Sequence, residues 1–229
     1  MKIVFIGAGN LATRLSLAMQ RVGMQIGQVY SHTEASARQL ATRLGCPWTN
    51  DLSALQEDGD LYVFSLKDTV LSDVISKVKP NNGMWVHTAG SMSMSVFEGY
   101  AQRFGVLYPL QTFSKGRNVN FDVIPIFLEA NTDKNADYLK NIASALSENV
   151  RFMSSEKRRS LHLAAVFACN FTNHIYTLSY KLLENESIPA DVLLPLIDET
   201  VSKIHSMPPA AAQTGPAIRY DENVINKHL

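Results

Sequence analysis

Lys2-Ile3-Val4-Phe5-Ile6-Gly7-Ala8-Gly9-Asn10-Leu11-Ala12 follows the initial Met1, and its reading decides the fold. Lys2–Ile6 reads as a short strand and Asn10–Val22 as a helix. Between them, Gly7, Gly9 and Ala12 stand at the G-x-G-x-x-A spacing. In that pattern the first glycine permits a tight turn and the second lets the backbone approach a pyrophosphate. The third small residue lets helix and strand pack closely. The free N–H groups and dipole at the start of the helix favour an anion. Gly7, Ala8, Gly9, Asn10, Leu11 and Ala12 are therefore candidate dinucleotide contacts. A plain strand–turn–helix without ligand uses the same residue types.

Working outward, strands and helices alternate. Ile26–Tyr30, Asp60–Leu66, Met84–His87, Val106–Tyr108 and Ile124–Glu129 read as strands. Glu34–Leu44, Asp68–Val78 and Asp133–Leu146 read as helices. This alternation predicts an α/β domain, a doubly wound parallel sheet of the Rossmann NAD(P)-binding type, over residues 1–152. An all-α C-terminal domain, 153–229, is expected to follow. In it, Ser155–Glu184 and Ala190–Ser206 read as long helices, and Met207-Pro208-Pro209 ends the second. A last helix is expected to begin near Asp221 and to be still running at Leu229 without a C-cap, so more chain is expected to exist, or once to have existed, beyond this point.

In such a sheet, ligands bind outside the carboxyl ends of the strands. The second strand ends Val29-Tyr30-Ser31-His32-Thr33, with no carboxylate at its tip to take ribose hydroxyls. Ser31, His32 and Thr33 are suited to a 2′-phosphate instead, so NADP (as NADPH) is the expected cofactor. Arg38 lies nearby, although it reads equally as a solvated charge. Ser31 with Glu34 also forms a capping-box pattern for the next helix. Two further strand ends, Ser65-Leu66-Lys67 and His87-Thr88-Ala89-Gly90, are expected to line the same groove, unless His87 is incidental to its loop.

Bulk properties exclude other classes. Lys plus Arg total 21 and Asp plus Glu total 21, so no basic field draws nucleic acid. Hydrophobic residues make up 46% and charged residues 18%, enough to pack a core. Cys46 and Cys169 are isolated, which suits a reducing, cytoplasmic setting rather than a disulfide framework. The N-terminal run is too short for a signal peptide. The apolar stretch Leu163–Cys169 is broken by Asn170, Asn173 and His174, so no membrane span is expected. No metal-ligand, serine-hydrolase or P-loop pattern is present.

Several segments together resemble one family. They are Gly7–Ala12, His87–Gly90, Tyr108-Pro109-Leu110-Gln111-Thr112-Phe113, the helix from Leu161 to Asn173, and Thr214-Gly215-Pro216-Ala217-Ile218-Arg219-Tyr220-Asp221. The family pairs a Rossmann-like domain with a C-terminal helical domain of unknown function, and its members are provisionally called NADP oxidoreductases. The resemblance covers essentially the whole chain. It is more distant to pyrroline-5-carboxylate reductase and to the β-hydroxyacid and 6-phosphogluconate dehydrogenases. Those relatives imply a homodimer built through the helical domain and hydride transfer to a small-molecule substrate at the domain interface. Two positions depart from the family pattern: Tyr108 stands where many members have His, and Tyr220 where others have Gly.

The long helix carries the remaining candidates. Leu163–Cys169 is apolar almost all round and is expected to be buried. Asn170, Asn173, His174, Thr177 and Lys181 form a polar stripe beyond it. His162 and Asn173 are about 20° apart on an ideal helix but about 16 Å apart along its axis. The dehydrogenase relatives use a Lys one turn before an Asn to polarise the substrate. Here Val166 and Cys169 stand one turn before Asn170 and Asn173. A proton donor is then sought among His87, His162 and His174. Asn170 and Asn173 would orient the substrate, unless these groups only satisfy buried polar atoms. Arg219 could hold a substrate carboxylate, or pair with Asp221 or Glu222. The expected function is hydride transfer between NADP and a small carbonyl or imine. The alternatives are a nucleotide-binding sensor or regulatory protein without catalysis, and a reductase acting on a flavin-type or deazaflavin cofactor.

Overall fold

The computed structural model describes residues 1–215 and 218–228, the side chains of Ile225 and His228 excepted. Pro216 and Ala217 of the expected interhelical turn, and Leu229 of the expected last helix, lie outside the described residues. Contacts divide the chain into two compact units, Met1–Cys169 and Asn170–Leu229.

The first unit is an eight-stranded sheet. Its strands are β1 (Lys2–Ile6), β2 (Gln25–Tyr30), β3 (Trp48–Thr49), β4 (Leu61–Phe64), β5 (Met84–His87), β6 (Phe104–Pro109), β7 (Ile126–Ala130) and β8 (Val150–Phe152). Their spatial order is β3-β2-β1-β4-β5-β6-β7-β8. From β1 the chain winds outward to β2 and β3, then restarts on the other side with β4. The crevice between β1 and β4 is thus a topological switch point, where ligands of such sheets bind.

Side chains alternate between two cores. One face carries Ile3, Phe5, Val29, Val63, Val86, Leu107 and Leu128, packed on α1 (Asn10–Arg21), α2 (Glu34–Leu44) and α4 (Asp133–Ser144). The other carries Val4, Ile6, Tyr62, Phe64 and Trp85, packed on α3 (Asp68–Lys77) and the short turn of helix Met94–Phe97. Val106, Tyr108 and Phe127 continue that second face, and α5 (Ser155–Ala165) covers them through Leu161. α5 belongs to the first unit, although it follows the expected boundary at residue 152.

The sheet departs from the expected all-parallel form at one pair. β6 and β7 run antiparallel, with Tyr108 opposite Phe127 and Val106 opposite Glu129. The reason is the connection: a parallel return needs a crossover, usually an α-helix, and residues 110–125 supply only the short turn Phe121–Val123. That turn also moves the start of β7 from the expected Ile124 to Ile126. β3 and β8, two and three residues long, are too short to carry a readable alternation.

The expected single helix Ser155–Glu184 is three consecutive segments: α5, a π-helical stretch Val166–Phe171, and α6 (Thr172–Asn185). A π-helix closes its hydrogen bonds five residues back, not four, so ideal α-helical angles do not carry across it. The second unit is helical, with α6, a short turn at Ala190–Leu193, α7 (Leu194–Ser206), α8 (Pro209–Ala212) and α9 (Glu222–His228).

The expected burial of Leu163–Cys169 is not met. Leu163 is 58% exposed and Phe167 60%. Among the described residues none after Arg158 is buried. An all-round apolar helix requires a cover, and the rule that such helices are buried does not say whose surface provides it. No described helix is long and apolar enough to cross a membrane.

Candidate functional site

The Gly7–Ala12 turn has the backbone form that the spacing predicts. Gly7 has φ +119°, a conformation L side chains rarely adopt, and a Cβ there would lie 2.1 Å from the Ser65 carbonyl oxygen. Glycine at this place therefore lets the ends of β1 and β4 close together. The Gly7 N–H donates to Tyr30 O at 2.8 Å, and the Ser65 N–H to Ile6 O at 2.8 Å. Gly9 is the N-cap of α1, with no side chain capping the helix, and a Cβ on it would meet nothing within 4 Å. Ala12 is fully buried against the sheet. The first-turn amides of Asn10, Leu11 and Ala12 thus head a helix whose N-terminus faces open space. A pyrophosphate fits there by charge and by room.

At the tip of β2, Ser31 is half-buried and its N–H donates to Thr49 O at 3.2 Å. His32 and Thr33 are exposed, as is Arg38 one turn into α2. The expected Ser31–Glu34 capping box does not form. Thr33, not Ser31, is the N-cap of α2, and no side chain caps it. The chain turns into the helix two residues later than that pattern requires, which leaves these hydroxyls outside any cap.

The other two strand ends meet each other. Ser65 and Leu66 are half-buried beside Gly7, and Lys67 is the exposed N-cap of α3. Ser91 Oγ donates a hydrogen bond to Asp68, joining the β5 loop to the start of α3. Thr88, Ala89 and Gly90 are buried. The ring of His162, on α5, lies so close to Gly90 that a Cβ there would sit 2.5 Å from its Cγ and Nδ1. His162 Nδ1 is 2.9 Å from Tyr108 Oη at the end of β6, the two rings edge to face.

His87 is fully buried against Phe97. Its Nδ1 accepts from the Ala89 N–H at 3.2 Å, and its Nε2 lies 3.3 Å from Ser93 O, which identifies Nε2 as the protonated nitrogen. Burial, and then the positive charge of Arg158, push the imidazole down to about 4. The ring is neutral at physiological pH and ties the loop 87–93 into its fold.

A buried ion pair underlies this loop. Arg158 is fully buried and pairs with Glu129 at 2.5 Å. It also donates to Met92 O at 2.6 Å and Ser155 Oγ at 3.1 Å. Ser155 Oγ donates to Glu129 at 2.6 Å and accepts from the Met94 N–H at 3.0 Å. Burial raises the Glu129 carboxyl, but the hydrogen bonds from Ser155 and Arg158 outweigh it and hold it below the usual range. The residue types alone did not single out Arg158, Glu129 or Ser155. One signal was present: Arg158 stands three and seven residues before Leu161 and Ala165, on the helix face that meets the sheet.

Asn170, Asn173 and His174 belong to the second unit and are exposed on it, as are Thr177, Lys181 and Arg219. A cavity of about 450 Å³ opens between α1 and residues 118–122, beside Arg14, Arg21 and Arg43. It shares no residue with the strand-end site.

Known proteins match this arrangement. Residues 2–86 match the family described as NADP oxidoreductase coenzyme F420-dependent, and residues 124–229 match a domain of unknown function, DUF2520. A solved structure from Bacteroides fragilis, titled a "putative NADP oxidoreductase", is 52% identical over 99% of this chain and 89% of its own, with a TM-score of 0.93. The chain belongs to this two-domain NADP oxidoreductase family. Pyrroline-5-carboxylate reductase from Streptococcus pyogenes is 17% identical over 97% of this chain and 84% of its own, with a TM-score of 0.66. An imine reductase from Myxococcus stipitatus, solved with NADP+, is 15% identical over 90% of this chain and 76% of its own, also at 0.66. At these identities the two reductases share its fold. A search of curated proteins finds no match. The family model ends at residue 86, just before His87–Gly90, so the pairing of that loop with Tyr108 and His162 is read from this chain's own geometry.

Proposed function

We propose that this family member is an NADP-dependent oxidoreductase that moves a hydride between the nicotinamide and a small carbonyl or imine substrate. The observation that carries the reading is the uncapped N-terminus of α1 behind the Gly7–Gly9 turn, at the switch point of the sheet. Support comes from the 52% identical relative titled a "putative NADP oxidoreductase" and from the imine reductase whose structure holds NADP+.

Bound there, the cofactor supplies or accepts the hydride. The amides of Asn10–Ala12 hold its pyrophosphate, with Gly7 and Ala8 shaping the turn. Ser31, His32 and Thr33 receive the 2′-phosphate, and no carboxylate at the β2 tip repels it. Ser65, Leu66 and Lys67 flank the dinucleotide on the β4 side. Thr88, Ala89 and Gly90 would border it on the β5 side, in a loop held in shape by His87. Asn170, Asn173 and His174 enter no step of this reading.

The test is thermal unfolding with each nucleotide. A ligand that binds only the folded state stabilises by mass action, about 2.7 kcal/mol at a hundredfold excess over Kd. NADPH is expected to raise Tm by several degrees and NADH by less. Equal shifts overturn the preference for the 2′-phosphate, and no shift at millimolar nucleotide overturns the cofactor reading.

A second reading comes from the F420-dependent description of the N-terminal family. In it, the hydride passes between NADP and a deazaflavin. Loss of deazaflavin absorbance on addition of NADPH and protein supports that reading, and an unchanged spectrum removes it.

The partner in the first reading is a second copy of the chain. Supporting it, the second unit has no buried described residue and exposes Ile175, Leu178, Leu182, Leu196 and Val201. A helical unit without a core of its own requires an apolar surface from elsewhere.

A further inference from the structure

Tyr108 and His162 come from elements far apart in sequence and meet at the edge of the proposed cofactor site. We propose that they are a proton-delivering pair, Tyr108 the group that gives the proton to substrate and His162 the group that restores it. The proposal rests on the oxidoreductase reading above and names the acid that reading lacks.

Geometry carries it. Tyr108 Oη and His162 Nδ1 are 2.9 Å apart, a direct hydrogen bond. The His162 ring packs on Gly90, and only the missing side chain at that position lets it approach the strand-end loop. Tyr108 ends a strand parallel to β5 and reaches two residues beyond the level of His87, whose register partner is Val106. The pair therefore borders the same strand ends as the cofactor turn. Tyr108 is 7% exposed, whereas His162 is only half-buried and can exchange protons with solvent. His87 is excluded from this role because both its nitrogens face main-chain partners inside the fold.

Charged groups surround the pair. Burial raises the Tyr108 hydroxyl, the Arg158 cation on α5 opposes that, and Asp68 on α3 adds to it. The net effect is upward, so the phenol keeps its proton until a stronger base develops beside it. Glu129 on β7 neutralises Arg158, and His87 on β5 is uncharged.

The substrate carbon gains the hydride that the reduced nicotinamide loses, and the C=O or C=N π pair moves to oxygen or nitrogen. That atom takes the proton from Tyr108 Oη, and Tyr108 takes the proton on His162 Nδ1 as Nε2 takes one from solvent. The half-buried ring then exchanges with solvent, losing the proton at Nε2 and gaining one at Nδ1, and so returns to its starting tautomer. The net consumption is one NADPH and one proton per reduced bond.

The test uses the whole protein with 15N-labelled histidine, saturated with NADPH or with NADP+. His162→Asn assigns the His162 ring resonances. Oxidised nicotinamide carries a positive charge that reduced nicotinamide lacks. The His162 ring nitrogens are expected to resonate at different positions in the NADP+ and NADPH complexes. Tyr108→Phe is expected to move the Nδ1 resonance, because its hydrogen-bond partner is gone. A carbonyl and imine panel with NADPH supplies the readout that a structural pair does not move: Tyr108→Phe is expected to lower the rate of NADPH oxidation about tenfold or more while the Tm rise with NADPH is kept. Unchanged ring resonances between complexes that both raise Tm, or an unchanged rate in Tyr108→Phe, overturn the pair and leave the cofactor reading standing. The absence of any Tm rise overturns both.

Discussion

His87 shows how a single buried ring couples to pH. Its folded-state value near 4 lies below the ordinary 6.5 of a free imidazole, because burial and then Arg158 oppose the charged form. Between those two values the unfolded chain binds a proton that the folded chain refuses. The stabilisation is therefore complete above about 6.5 and is lost as pH falls toward 4. The full effect is about 3 kcal/mol, from 1.36 kcal/mol per unit. In urea unfolding, His87→Asn is expected to lack most of the pH slope between 6.5 and 4. An unchanged slope in that variant would assign it to other groups. Residues such as Gly7, Gly9 and Ala12 were legible because their roles are backbone roles, set by spacing alone. The role of His87 was not, because the same ring at a strand end serves either as an acid or as a loop tie. Only the Ala89 N–H and Ser93 O beside it distinguish the two.

At the scale of elements, α5 is attached to β7 and to the 91–94 loop through Arg158, Glu129 and Ser155. Breaking a buried pair by removing one charge costs about 3–5 kcal/mol, because the remaining ion is left without compensation. Glu129→Gln preserves size and is expected to destabilise by that amount at neutral pH. Replacing both partners, Glu129→Gln with Arg158→Met, is expected to cost less. A single-variant loss below about 1 kcal/mol would show that the pair is replaceable. The depressed Glu129 carboxyl adds stability above the usual carboxylate range, and this is lost as pH falls through the folded value. The alternation of strands and helices was readable because each has a period and several turns to display it. The antiparallel β7 and the π stretch Val166–Phe171 were not. The first follows from a missing crossover helix. The second leaves the residue types helical while changing which of them share a face.

At the scale of the whole molecule, the two units differ in kind. The first has three apolar clusters of buried residues. The second has no buried described residue and leaves Ile175, Leu178 and Leu182 exposed. The proposed second copy predicts a dimer in sedimentation equilibrium, and Leu182→Asp is expected to shift it toward monomer and lower Tm. A monomer at every concentration would overturn the dimer.

The sequence by itself determined the glycine turn between β1 and α1, the winding of the sheet and the helical character of the C-terminal part. These depend on local spacing and period, which neighbouring residues display without help from the rest of the chain. Only the tertiary structure decided which polar groups gather at the strand ends. Tyr108 meets His162 across 54 residues, and Arg158 meets Glu129 across 29. No local rule encodes such meetings. They arise because β5, β6 and β7 lie side by side and α5 packs over their ends.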